Sequence, residues 1–519
     1  MNETIVKHLN FGEDAKNKIF EGIDKLTKAV SSTLGASGKC VILEDGSGNP
    51  QITKDGVTVA NSITLLDPVE NMGAKLLKEA ARKTVKEAGD GTTTATVLAH
   101  AILTEASKNK DLNPRQLKEG ITDAISKVVN YLEKHSAKVK GDYIEKVATI
   151  SANNDPELGK TIAEAFKQVD ETGVVMMETH ELPETIIQKI DGIQYEKGFV
   201  SSYFITNPES GTAELNEPYI LIIESPLDNM RKIQGILEFT MGPNQRKPLL
   251  IIADADNQVK AALAMNKMKN NLKVNLVEAP VYGINKRSIL DDLAMLTGAT
   301  IINEELGDDM DLIQPHHLGV CIKSVSNENE TIIQVEETPD EVQEVIDSLK
   351  DKIKETKNPH LTQQYEKRIA RLSAKVAIVK VGANSEVELK EKRDRVEDAI
   401  CATKAAIKEG IVPGGGIALL NASQSIKPKS LSEGVLLEAI KSPYITILKN
   451  AGIEDYEVPK VKGKGLNVVT GETVNMVKSG IIDPLLVTKC ALMNAASVST
   501  TILSTDCVIN NLRVDEGNR

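Results

Sequence analysis

The chain has 519 residues, too many for one ordinary core, so two or three domains are expected. Its net charge of −12, with 3% aromatic residues and no tryptophan, argues against a nucleic-acid or membrane-surface partner and against base-stacking platforms. The N-terminus MNETIVKHLNFGEDAKNKIF resembles neither a secretory signal nor a transit peptide, and no apolar run approaches the roughly 18 residues of a membrane span. Five scattered cysteines without a CxxC pair suit a reducing, cytoplasmic setting.

Helices are expected over 13–34 and 69–88. In the second, Met72, Leu76, Leu77, Ala80, Ala81 and Val85 share one face, and Gly89 offers a C-cap. Between them, KCVILEDGSGNPQIT reads as a β-hairpin. Helices follow at 92–106 and 114–135. The middle alternates apolar runs (173–179, 219–225, 248–255, 273–280) with helical segments (257–270, 286–297), the pattern of βαβ units with partly parallel strands. His316-His317 in this region reads as a loop pair rather than a metal site, for want of further ligands. Residues 339–376 read as a charged helical hairpin broken at Asn358-Pro359. Val342, Val345, Ile346, Leu349 and Ile353 line one helix; Tyr365, Ile369, Leu372 and Val376 line the other. From 394 the chain returns to Ala-rich helix, then the loop VPGGG (412–416), then helices to 450. Cys401 lies on the first of these, with no histidine near it in sequence to make it a nucleophile.

The chemistry concentrates in AGDGTTTATVLA, residues 88–99. A glycine turn at a helix N-terminus presents free backbone N–H groups and the positive end of the helix dipole to an anion, and Thr92, Thr93 and Thr94 add hydroxyls. Asp90 would repel phosphate unless a hard cation such as Mg²⁺ sat between them. The stretch therefore reads as a Mg²⁺–phosphate cradle or, on local chemistry alone, equally as a capping turn. TLGASGKC (33–40) is not a P-loop, because Thr33 and Cys40 stand where that motif needs Gly and Ser or Thr. Lys54 and Asp55 precede Gly56 in ITKDGVTVA, where lysine could meet a phosphate and aspartate a cation or water. The glycines of VPGGG allow close backbone approach by a ligand.

In chain order, TLGASGKCVIL, ITKDGVTVA, ENMGAKLLKEAA, AGDGTTTATVLAHAI, ISANND, VEDAICATKAAIKEGIVPGGGIALL and IIDP resemble the chaperonins of the bacterial and organellar 60-kDa class over essentially the whole length. The resemblance implies a multidomain fold. A mostly α-helical equatorial nucleotide domain (1–133 and 409–519) is built from both chain ends. A small α/β intermediate domain (134–190 and 377–408) and an α/β apical domain (191–376) are inserted between them. It implies ATP hydrolysis with Mg²⁺ and K⁺ coupled to protein folding, seven-membered rings (single or double), unfolded client proteins and a small lid co-chaperonin.

By the same resemblance, Thr33, Leu34, Gly35, Lys54, Gly91 to Thr94, Ile150, Gly414, Gly415, Asn467, Val468, Val469, Ile481 and Asp483 hold the nucleotide. Asp90 takes Mg²⁺, Thr33 and Lys54 a K⁺ ion, Asp398 positions the attacking water, and Asp55 assists. Phe199, Tyr203 and Phe204, with Leu237 and Leu263, are expected as an exposed apolar rim for clients or a lid. The chain departs from the family at Ala36-Ser37, at Leu466, at Ala374-Lys375 where a hinge Gly-Gly is usual, at the polar Gln234, and in ending on VDEGNR without a Gly-Gly-Met tail. Two other readings stand beside the folding chaperone: a small-molecule kinase or metabolic ATPase, for which no acceptor site is seen, and a nucleotide-binding ring scaffold that has lost general folding activity.

Overall fold

The computed structural model describes residues 7–511, apart from 45–47, 49, 110–111, 140, 170–173, 181, 209, 243–246, 270, 280–285, 337–338, 356–358, 374 and 460. Two units result. The first is drawn from residues up to 163, 179–184 and from 381 onward; the second from residues 164–178 and 185–380. Residues 142–163 and 386–408, assigned by the resemblance to an intermediate domain, group with the first unit.

The first unit opens with β1 (Lys7–Phe11) and α1 (Gly12–Ser31). Ala15, Ile19, Ile23, Leu26 and Val30 recur at three- and four-residue spacing along α1, and all are buried. The helix stops short of the expected residue 34, because Gly35 turns the chain with φ 87°. β2 (Val41–Glu44) and β3 (Pro50–Thr53) form the expected hairpin; most of its turn lies outside the described residues. Then come α2 (Gly56–Ser62), α3 (Pro68–Ala88), α4 (Thr92–Lys108), α5 (Pro114–Lys134), α6 (Tyr143–Ser151) and α7 (Pro156–Gln168), whose residues from 164 on belong to the second unit. Asp55 and Asp67 cap α2 and α3 by accepting from backbone N–H groups, and Asn113 forms a capping box with Gln116 on α5.

The second unit carries two sheets. Its elements are β4 (Val174–Thr179), β5 (Ile186–Tyr195), β6 (Ala213–Asn216), β7 (Tyr219–Ile223), α8 (Gln234–Met241), β8 (Leu249–Ala253), α9 (Asn257–Met268), β9 (Val274–Glu278), α10 (Lys286–Thr297), β10 (Ile301–Ile302), β11 (Gly319–Val320), β12 (Lys323–Ser326), β13 (Thr331–Val335), α11 (Asp340–Glu355), α12 (Pro359–Leu372) and β14 (Lys375–Val381). One sheet runs β10-β7-β8-β9, all parallel, with β11 antiparallel on β7. Its central strands are apolar throughout because both faces are covered, as parallel sheets require. The other sheet runs β4-β14-β5-β13-β12-β6. Val376 belongs to β14 rather than to the charged hairpin, because β5 captures residues 375–380 as a strand. Ala374 and Asn358 lie outside the described residues. The hairpin is tied to α10 through the fully buried Asp292, which pairs with Arg368 at 2.8 Å and Arg371 at 3.0 Å.

The chain returns to the first unit with α13 (Glu386–Glu409), β15 (Ile411–Pro413), α14 (Ile417–Ser425), α15 (Leu431–Ala439), α16 (Ser442–Asn450), β16 (Lys464–Asn467), β17 (Glu472–Asn475), β18 (Ile482–Pro484), α17 (Leu485–Leu503) and β19 (Cys507–Asn511). α13 starts eight residues before the expected 394, capped by Ser385. α17, contrary to the expectation from apolar runs, is long and apolar enough by composition to cross a membrane. Most of it is buried, and it packs on α3, α4 and α5 as a core helix. β19 pairs antiparallel with β1, joining the two ends of the chain.

Candidate functional site

The site grows from the turn between α3 and α4. Gly89 ends α3 with φ 75°, and Gly91 precedes α4 with φ 98°. Asp90, held between them, accepts a hydrogen bond from the Gly91 N–H. The first intrahelical bond of α4 is Ala95 N–H to the Gly91 carbonyl, so the N–H groups of Thr92, Thr93 and Thr94 point out of the helix end. α2 abuts this turn: a Cβ on Gly56 would lie 2.3 Å from Thr93 Oγ1, so only glycine fits. The approach places Asp55, the N-cap of α2, beside the α4 end. Its two oxygens accept from Val57 N at 3.0 Å and Thr58 N at 2.7 Å. Thr33 Oγ1 donates to the Val30 carbonyl at 2.9 Å and lies 3.4 Å from Thr93 Oγ1.

These groups line one end of a cavity of about 1760 Å³ in the first unit. α13 brings Asp398 to it, with Asp394 and Arg395 one turn earlier. Apolar side chains supply much of the remaining lining: Ile150 from α6, then Leu466, Val468, Val469, Met476 and Ile481, with the Gly415-Gly416 backbone. Asn467 Oδ1 accepts from Val469 N at 3.0 Å, and Asp483 lies on β18 opposite Val412 of β15. All the nucleotide, metal and catalytic candidates line this cavity except Gly414. That residue sits behind it: its N–H bonds the Ile481 carbonyl, and a Cβ there would lie 3.0 Å from Asp483 Oδ1.

Carboxylates dominate the electrostatics. Burial, then Asp90 and Asp55, push the Asp398 carboxyl well above its usual range. Burial and Asp55 raise Asp90 against the pull of the Gly91 N–H. Burial and Asp90 raise Asp483 to about 7. Such a cluster suits a hard cation. Among the described residues no three His, Cys, Asp or Glu form a cage, so a cation beside Asp90 would complete its shell with phosphate oxygens and water. Because Asp483 is raised above its usual 3.8, the native state binds the extra proton, so its stabilising contribution fades as pH rises from about 4 towards 7. In nucleotide-free protein, wild type is expected to lose more urea resistance than Asp483→Asn between pH 5 and pH 8; equal losses would show that Asp483 is ionised throughout.

Two features are not foreseen from the sequence. Glu391, Asp394, Arg395 and Asp398 all line the cavity from one face of α13, a stripe that helical spacing back from Asp398 could have found. Arg395 pairs with Glu391 at 2.7 Å and Asp155 at 3.4 Å, while its buried Nε has no partner. Asn153 and Asn154 also line the cavity, both in left-handed conformation with φ 60° and 61°.

The expected apolar rim needs correction. Phe199, Phe204, Leu237 and Leu263 are buried in the core of the second unit, and of the five only Tyr203 is exposed, at 59%. Phe199 bridges Val277 of β9, and the Ser201-capped turn at 202–204 sends Phe204 inward and Tyr203 outward. On α9, Val259 and Leu263 face the sheet, while Met265 and Met268 face solvent. Gln234 is exposed on α8, bonded to Glu238 at 2.7 Å. His316 and His317 pack against each other in a short helical turn, in no metal cluster among the described residues.

A sequence model of the TCP-1/cpn60 chaperonin family matches residues 26–513. Among solved structures, the chain is similar to the chaperonin gp146 of bacteriophage EL 2 (Pseudomonas aeruginosa), crystallised in the presence of ATP-BeFx. In crystal form II the identity is 23% and the TM-score 0.73, covering 99% of this chain and 100% of that one. In crystal form I the values are 22% and 0.65, covering 97% and 99%. At this identity the structural likeness is one of fold, and the architecture above agrees with it. With the family match spanning nearly the whole length, the chain belongs to the TCP-1/cpn60 chaperonin family.

Proposed function

We propose that the chain is the subunit of a ring-forming chaperone that hydrolyses ATP to drive capture and release of non-native proteins. The observation that carries this is the meeting of Asp398 and Asp55 with the α4 N-terminus and Asp90 in one cavity that is also lined by apolar side chains. The terminal phosphates belong at the N–H groups and hydroxyls of Thr92 to Thr94. The base belongs between Ile150, Ile481 and Val468. Mg²⁺ held by Asp90 would neutralise phosphate charge. K⁺ fits the oxygens of Thr33 and the carbonyl of Lys54, since an ammonium cannot ligate a cation. Asp398, with its raised proton affinity, accepts a proton from the water attacking the terminal phosphorus; the bond to the bridging oxygen breaks, and ADP and phosphate leave. Crystallisation of the phage chaperonin in the presence of ATP-BeFx supports nucleotide use here.

The family supports rings, and seven subunits is our reading. Exposed Leu9, Phe11 and Ile509 on the β1–β19 ribbon, and Ile42 opposite Ile52 on the β2–β3 hairpin, offer apolar faces for neighbouring subunits. A cytoplasmic setting suits the five free thiols. The burial of four expected rim residues favours a second reading, a nucleotide-binding ring without general client capture. A lid co-chaperonin would meet the same surface. The test is whether the purified chain stops a denatured enzyme from aggregating and releases it active with ATP, Mg²⁺ and K⁺. Capture and productive release support the chaperone; ATP hydrolysis without capture supports the scaffold.

A further inference from the structure

Cys401 stands three residues after Asp398 on α13, on the same side of the helix. Its side chain packs on Gly89, the residue before Asp90. A Cβ built on Gly89 would lie 2.4 Å from Cys401 Cβ and 2.9 Å from its Sγ. The seam between α3 and α13 is therefore closed to any side chain at position 89, and the half-buried Cys401 forms its other wall. One of its walls leads directly into Asp90, and the other lies one turn from Asp398.

The thiol itself is chemically quiet. Burial and the neighbouring carboxylates Glu397 and Asp398 push it up to about 12, so at neutral pH it is neither nucleophile nor metal ligand. What it contributes is size. Packed interiors transmit added volume as displacement. We propose that the Cys401–Gly89 contact is the spacer that sets how closely Asp398 approaches Asp90, which makes Cys401 a positioning residue for ATP hydrolysis; this rests on the ATPase reading above. A side chain larger than cysteine lifts α13 from α3 and carries Asp398 away from the attacking water. The phosphate cradle on α4 and the apolar lining of the cavity stay where they are.

The test is a size series in the full-length chain: Cys401→Ser, Cys401→Ala, Cys401→Val and Cys401→Leu. Steady-state hydrolysis of Mg-ATP is measured alongside equilibrium binding of a fluorescent ATP analogue and a thermal melt. Serine, nearly isosteric, should keep kcat. Valine and leucine should lower it progressively, leucine by about 10²-fold, the scale expected for a displacement of roughly 1 Å at the reacting atoms. Nucleotide affinity should hold across the series. Valine, the smaller intrusion, keeps the test valid if the leucine protein does not fold. Wild-type kcat in folded valine and leucine variants overturns the proposal, as does a loss of affinity that matches the loss of kcat. A wild-type chain without ATPase activity overturns the parent reading and this one together, whereas an active wild type with a flat series overturns this one alone.

Discussion

Asp398→Ala is expected to lower ATP turnover by on the order of 10²–10⁴-fold, the span associated with removing a general base, while the chain still binds ATP. Asp398 is no part of the proposed phosphate cradle, which is α4 backbone and threonine hydroxyls, and it lies at a carboxylate cluster that resists charge. Removing it takes away the group proposed to accept the water's proton and relieves repulsion against Asp90 and Asp55. Affinity for Mg-ATP should therefore hold or rise as kcat falls, and the nucleotide-free protein should melt at a higher temperature. Rapid-quench single-turnover kinetics separate this from slow product release, since the chemical step itself should slow. A single-turnover rate equal to wild type would assign the water to another group, with Asp55 next in line.

Asp90→Asn should fail differently. Asparagine keeps the shape of the turn and the acceptor for the Gly91 N–H, so the turn between Gly89 and Gly91 survives. What disappears is the negative charge that, in the proposed site, would hold a metal ion against the phosphates. ATP binding should lose its dependence on Mg²⁺: affinity measured by calorimetry with Mg²⁺ should fall to the value measured with EDTA, and hydrolysis should fall below detection. If Mg²⁺ still strengthens binding by the wild-type factor, the cation is held elsewhere. The two variants thus separate along binding and chemistry, one retaining the nucleotide without turning it over, the other losing the metal-dependent complex.

The parts legible in the sequence were those encoded locally. The run from Gly89 to Thr94 states its own geometry: two glycines take left-handed conformations and three threonines open a helix. The parallel strands of the second unit announced themselves as uninterrupted apolar runs. The convergence of Ile150, Asp398, Asn467 and Asp483 on one cavity was not readable from spacing, because more than 300 positions separate the first from the last; it came from family resemblance. Resemblance failed where one residue of rotation decides burial. Phe204 and Tyr203 are adjacent and both aromatic, and only a three-residue turn capped by Ser201 determines which faces solvent. Val376 reads as helix on periodicity alone and becomes strand because β5 is there to pair with it.

The ribbon of β1 and β19 pairs Lys7 with Asn511, residues at opposite ends of the chain. α17, which packs on α3, α4 and α5, also lies far downstream of all three and is synthesised long after them. A ribosome-bound chain therefore holds the Gly89–Gly91 turn, α6 and the whole second unit well before it holds Asp483 or α17. The second unit has its sheets complete by residue 381 and can fold while translation continues; the first unit cannot. Its early helices must wait with their apolar faces uncovered until closure across nearly the full length of the chain, the kind of long-range step that is slow and prone to aggregation. Folding of this subunit is thus most vulnerable in the interval between its first core helix and its last.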